Sequence, residues 1–168
     1  MLANRHLRVN ILQPGAGVGG HCIVVDSWFI VARDAENAKL ILTVREVNTH
    51  TALWAIDQIK IAVADAHVST GRKPKVACLG LASKPDIDDL RESPAVQIAS
   101  ELLTQGYDVV AVEPNIESHD EFVLMGLDEA IEVADVLVVL VKHRQFGDEV
   151  VKEGLRARGA LDFCGVLG

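Results

Sequence analysis

Cys22 is the side chain in this chain whose neighbours best suit it to nucleophilic chemistry. It follows Gly15-Ala16-Gly17-Val18-Gly19-Gly20 and then His21. A thiol becomes a useful nucleophile when nearby N–H groups or cations stabilise its thiolate. Glycines expose their backbone N–H groups and let the chain approach a ligand closely. The same N–H groups can stabilise an oxyanion on a carbonyl attacked by sulfur. Two plainer readings stand beside this one. The glycines can form a tight structural turn, and a cysteine is commonly a buried, inert residue. Cys78, inside an apolar stretch, fits the inert reading, and Cys164 is read the same way. The three cysteines lack the close pairing and companion histidines of a zinc site.

Gly15, Gly17 and Gly20 also fit the G-x-G-x-x-G pattern of dinucleotide-binding turns. That pattern works when a helix begins at the glycines and its amino end meets the pyrophosphate. Here the glycines run into His21-Cys22-Ile23-Val24-Val25-Asp26, which is β-branched. That stretch has no helical periodicity, which weakens the dinucleotide reading, and a free-standing dinucleotide-binding domain built on Gly15 to Gly20 stays as a further alternative.

The elements that must position Cys22 follow from periodicity. Residues 35–66 carry apolar side chains at Leu40, Val44, Val47, Leu53, Ile56, Ile59 and Val63, the three-and-four spacing of a long helix. Residues 69–74 read as a linker. Beyond it, strands are expected at 76–81, 108–112 and 136–141, with a last one at 161–166. Helices are expected at 93–105, 127–133 and 148–157. Such alternation, with strands of nearly pure Val and Leu, predicts an α/β fold with a Rossmann-like, doubly wound parallel sheet. Ligands of these sheets lie beyond the carboxyl ends of the strands, here residues 80–91 and 113–115. Aromatic residues make up 4% of the chain, so its core must be aliphatic, which suits strands buried on both faces.

A formal net charge of −8 disfavours non-specific binding to nucleic acid or to an anionic membrane surface. No apolar run is long enough to span a bilayer, and the first ten residues lack a signal core. Three cysteines, odd in number and far apart, suit a reducing cytoplasm.

The segment Pro14 to Asp26 resembles the active-site segment of the UDP-glucose and UDP-N-acetylmannosamine dehydrogenase family, G-x-G-x-G-G-x-C-x-x-x-D. Leu79 to Pro94 is similar to the family's second motif, G-L-x-F-K-x-x-x-x-D-x-R-x-S-P. The G-G-H-C sequence, Asp26-Ser27-Trp28-Phe29-Ile30 and Arg45-Glu46-Val47-Asn48 resemble the N-acetylmannosamine branch. The resemblance covers nearly the whole chain. It implies oxidation of a sugar C6 alcohol to a carboxylate, with NAD taking two hydrides, for polysaccharide synthesis. Cys22 would form a thioester, and Asp26 would help position water or the general base. Gln13, Gly15, Gly17 and Gly19 would wrap the sugar and diphosphate. Lys84 would meet the nucleotide-sugar, Arg91 would reach NAD, and His6 and Arg8 would contact the substrate of a partner subunit. A homodimer through the long helix is implied as well.

The resemblance divides the chain into an active-site segment (1–34), a connecting helix (35–68) and a UDP-binding domain (69–168). The family's amino-terminal NAD-binding domain is expected to be absent, which would leave the chain inactive alone. The alternative is a non-catalytic UDP-sugar-binding or interaction module. Ala16, Val24 and Ser27 stand where this branch usually has proline. Ser83 replaces an aromatic residue, and Cys164 stands where many members have arginine. Without the family pattern, Lys84 and Arg91 read as part of a solvated, mixed-charge loop. Asp88 and Asp89 then read as charges at the start of the next helix, and Asp26 as a helix cap.

Overall fold

The computed structural model describes residues 15–168, and of His21 the backbone only. His6, Arg8 and Gln13 lie outside the described residues. Two helices come first, α1 (His21–Arg33) and α2 (Lys39–Thr70). The remainder alternates: β1 (Lys75–Leu79), α3 (Pro94–Thr104), β2 (Asp108–Val112), β3 (Val123–Leu124), α4 (Leu127–Val133), β4 (Val136–Val139), α5 (Glu149–Ala157) and β5 (Leu161–Asp162). A short 3-10 helix, Arg144–Gly147, links β4 to α5.

The segment after the glycines is helical, contrary to the sequence reading. Ile23, Val24 and Val25 weaken helix propensity, but propensity is a weak prior that packing overrides. Gly20 starts α1 and accepts from the Val24 N–H at 3.2 Å, and Val31 is buried. The dinucleotide reading still fails, for a different reason: α1 leads directly into α2, not into a strand of the sheet. The Asp34 carboxylate separates the two helices by accepting from the Asn37 N–H and side-chain amide. The long helix therefore begins at Lys39 rather than near residue 35. It also runs through Thr70, four residues past the expected end, and stops at left-handed Gly71 (φ 67°). At 32 residues it is about 48 Å long.

All strand pairs are parallel, in the order β3-β2-β1-β4-β5. This is the doubly wound arrangement expected. Successive residues of each central strand face opposite layers. Val76 and Cys78 of β1 pack beneath Ile59 and Val63 of α2 and Ile98 and Leu102 of α3. Ala77 and Leu79 pack against Ala130 of α4, Phe146 of the 3-10 helix and Leu155 of α5. With both faces covered, β4 can be four apolar residues without a polar one.

Several ends are fixed locally. Ser93 caps α3 by accepting from the Ala95 N–H, with Pro94 in the first helical position, and Asp148 caps α5 through Val150. Asp88 and Asp89 do not cap α3. Asp26 lies inside α1 and does not cap it either. The last strand is two residues rather than six. Its Asp162 carboxylate accepts from the N–H groups of Cys164, Gly165 and Leu167 and folds the chain into a turn.

Candidate functional site

The strand order reverses between β1 and β4, and the loops leaving their carboxyl ends form the first wall of a crevice. Gly80 opens the β1 loop at φ 90°. A Cβ there would stand 2.5 Å from Val141 Cβ, so no other residue fits. Leu81 and Ala82 then donate their N–H groups to Glu113 Oε2 at 2.7 and 3.0 Å. Glu113 lies just past β2, and its side chain is fully buried.

The same carboxylate oxygen lies 3.1 Å from Nε2 of His143, which is fully buried just past β4. His143 Nδ1 accepts from the Asp86 N–H at 2.9 Å, so Nε2 is the nitrogen that carries the proton toward Glu113. Asn115 donates its backbone N–H and its side-chain amide to Glu113 Oε1. Burial alone would raise the Glu113 pKa. Hydrogen bonds from His143, Leu81 and Asn115 override it and lower it to about 2. Asp86 adopts a left-handed backbone (φ 60°), and its carboxylate accepts from the Arg144 N–H and Nε at 2.9 and 3.0 Å.

Lys84 sits midway between these two anchors, exposed, with no hydrogen bond or ion pair among the described residues. Arg91, at the far end of the loop, forms a bidentate pair with Asp89 at 2.8 Å twice and remains 70% exposed. The hydrogen bond to Asp89, then its charge, raise the Arg91 pKa, and the nearby Cys22 sulfur adds a smaller pull.

The glycine segment is the second wall. Asn48 of α2 clamps it by accepting from the Val18 N–H at 2.7 Å and donating to the Val18 carbonyl at 3.1 Å. The segment lies flat on the turn before α3: a Cβ on Gly19 would stand 2.5 Å from the Glu92 carbonyl oxygen and 2.6 Å from Pro94 Cδ. A Cβ on Gly20 would lie 3.8 Å from Lys84 Cε. The two motifs, some 65 residues apart in sequence, therefore form one continuous surface. Cys22 is exposed in the first turn of α1, where helix N–H groups lack intrahelical partners. Asp26 is exposed one helical turn later.

Cys78 and Cys164 are buried, and desolvation pushes both thiols up to about 12. Sequence reasoning placed residues 113–115 near a ligand. It missed that Glu113 turns inward, and it missed His143 entirely. A carboxylate and an imidazole at the carboxyl ends of two strands were the available signal.

Comparison with known proteins starts from this geometry. Residues 77–168 match the UDP binding domain of the UDP-glucose/GDP-mannose dehydrogenase family, and residues 1–50 match its central domain. The chain belongs to this family. The UDP-N-acetyl-D-mannosamine dehydrogenase of Escherichia coli (strain K12) is 56% identical over 163 residues, covering 89% of this chain and 39% of that protein. The NDP-N-acetyl-D-galactosaminuronic acid dehydrogenase of Ralstonia nicotianae is 43% identical over 170 residues, covering 98% and 39%. Among solved structures, a UDP-N-acetylmannosamine dehydrogenase of Pyrococcus horikoshii superposes with a TM-score of 0.75 at 29% identity, covering 99% of this chain and 40% of that one. The chain thus spans about two fifths of the length of these curated relatives. Among the described residues, no helix is long and apolar enough to cross a membrane.

Proposed function

We propose that this chain supplies the substrate-facing part of an NAD-dependent dehydrogenase that oxidises C6 of UDP-N-acetyl-D-mannosamine to the uronate, for polysaccharide synthesis. The observation that carries this reading is the packing of the glycine segment onto the Glu92–Pro94 turn, which brings Gly20, two residues before Cys22, against Lys84.

The chemistry follows from these side chains. Lys84, an exposed point charge without a partner among the described residues, holds the diphosphate of the substrate. The backbone of residues 13–19 wraps the sugar, with His6 and Arg8 reaching a second copy's substrate. Cys22 thiolate adds to C6 of the sugar aldehyde and forms a thiohemiacetal. Loss of hydride from that carbon gives a thioester. Water then attacks the thioester carbonyl, and the C–S bond breaks to return the thiol and release the carboxylate. Asp26, on the same side of α1, orients that water. NAD supplies the acceptor for the hydrides when bound. The exposed Arg91 guanidinium is the group of this chain suited to its pyrophosphate, while the glycine segment is not a dinucleotide turn. The division at 1–34, 35–68 and 69–168 then corresponds to active-site segment, connecting helix and nucleotide domain. A second copy joins through α2, whose exposed Leu40, Val44 and Val47 share one face.

The test uses Cys22 as its own reporter. Iodoacetamide should alkylate Cys22 alone, because Cys78 and Cys164 are buried and their thiols are held protonated. UDP and UDP-N-acetylmannosamine, titrated calorimetrically, should bind, and the sugar nucleotide should slow alkylation. Lys84→Ala should lose both effects. NAD binding without UDP binding would sink the proposal.

A further inference from the structure

Beside the Val18–Asn48 clamp lies a cavity of about 220 Å³. Trp28 of α1, Arg45 and Asn48 of α2, and Glu92 and Gln97 around the start of α3 line it. Arg45 is 8% exposed, and its Nε has no hydrogen-bond partner among the described residues. No carboxylate of those residues stands within ion-pair distance of it. Its guanidinium carbon lies 6.0 Å from the centre of the Trp28 ring.

An arginine side chain is a permanent cation, and a buried cation without a counter-charge is strongly disfavoured. Stacking on an indole stabilises the face of the guanidinium but leaves the N–H edge unserved. That edge is a planar fork whose geometry matches two oxygens of one acid group. The cavity holds roughly seven waters at about 30 Å³ each, enough for a small acid and its hydration and too little for a nucleotide. Glu92 on its wall and the chain's net charge of −8 weigh against a dianion.

We propose that this cavity is a binding site for a small monocarboxylate, gripped by the Arg45 fork with Trp28 as its floor. The cavity adjoins the crevice, sharing Val18 and the Glu92–Pro94 turn with it, but its occupant does not depend on the function proposed above. Asn48 connects the two, since it both lines the cavity and clamps Val18.

The chain contains two tryptophans, Trp28 and Trp54, so Trp54→Phe leaves Trp28 as the single fluorescent reporter. Titration of that variant with acetate at constant ionic strength should give a saturable fluorescence change. Chloride should give none. Arg45→Met should abolish the change, and Arg45→Lys, which keeps the charge and loses the fork, should weaken binding about tenfold. In carboxylate-free buffer, Arg45→Met should melt at the same temperature as the parent or a few degrees higher, because it removes an unpaired buried charge. A lower melting temperature would mean that Arg45 is already paired within the protein, and would overturn the proposal. Failure of acetate to saturate, or saturation by phosphate but not acetate, would overturn it equally.

Discussion

At the carboxyl ends of the sheet, Glu113 and His143 are fully buried and every polar atom of the pair meets a partner. Across the crevice, the helical wall behaves differently. Arg45 is buried with an unserved nitrogen, while Phe29, Ile30, Leu40 and Val47 are all more than half exposed. The buried pair of the sheet wall satisfies its own polar groups, and the strands behind it are covered on both faces. The helical wall has neither property, so its energetics depend on what covers it. The first should respond to mutation through stability, the second through association and ligand binding.

The largest expected effect is on the sheet wall. Glu113→Ala strands a buried imidazole and the Leu81 and Ala82 N–H groups, and should cost about 3–5 kcal/mol in a denaturant titration. If it costs less than about 1 kcal/mol, the contrast between the walls is gone.

Acid should attack the same point. The Glu113 pKa is depressed from 4.5 to about 2, so its contribution is fully present above pH 4.5 and is lost as pH falls from 4.5 toward 2. The loss should be about 3 kcal/mol, and Glu113→Gln should flatten that limb of the stability profile. An unchanged limb in the variant would assign acid sensitivity elsewhere.

Where the walls touch, Gly19→Ala puts a methyl against the Glu92 carbonyl and should cost about 2 kcal/mol. It should also change the rate of Cys22 alkylation, because the segment carrying Cys22 must lift. A normal rate would separate the two motifs functionally. The smallest stability effect belongs to the helical wall. Leu40→Lys, at a residue 77% exposed, should alter stability by no more than about 0.5 kcal/mol while reducing self-association in sedimentation. A protein that sediments as a monomer before and after would remove the proposed helix contact.

The two walls also differed in how far they could be read from sequence. Asp108–Val112 and Leu127–Val133 are the strand and helix expected, since a short run of β-branched apolar residues and a helical apolar spacing specify them locally. Ser93-Pro94 and Asp148 mark helix starts through side-chain caps, which are also local. The helix at 21–33 was not legible. Its β-branched start argues against it, and what stabilises it is packing on the neighbouring α2, a tertiary contact that no spacing within residues 21–33 announces. Of the candidate site, Cys22, Lys84 and Arg91 stand out in the sequence because they sit in compact motifs. Glu113 and His143 meet across 30 residues, and Asn48 meets Val18 across another 30. No local pattern announces either pairing.

The position of β1 in the sheet has a consequence for the order of assembly on the ribosome. As the first strand made, it ends up in the middle, pairing Val76 with Val109 on one side and with Val136 on the other. The β2 side becomes available about 30 residues before the β4 side does. Until β4 emerges, the nascent chain carries an open apolar strand edge, the kind of surface that invites mispairing between chains. Closure then requires a contact spanning 60 residues, which is slow for entropic reasons. Synthesis speed through residues 113–136 should therefore govern the yield of folded protein more than speed anywhere else in the chain.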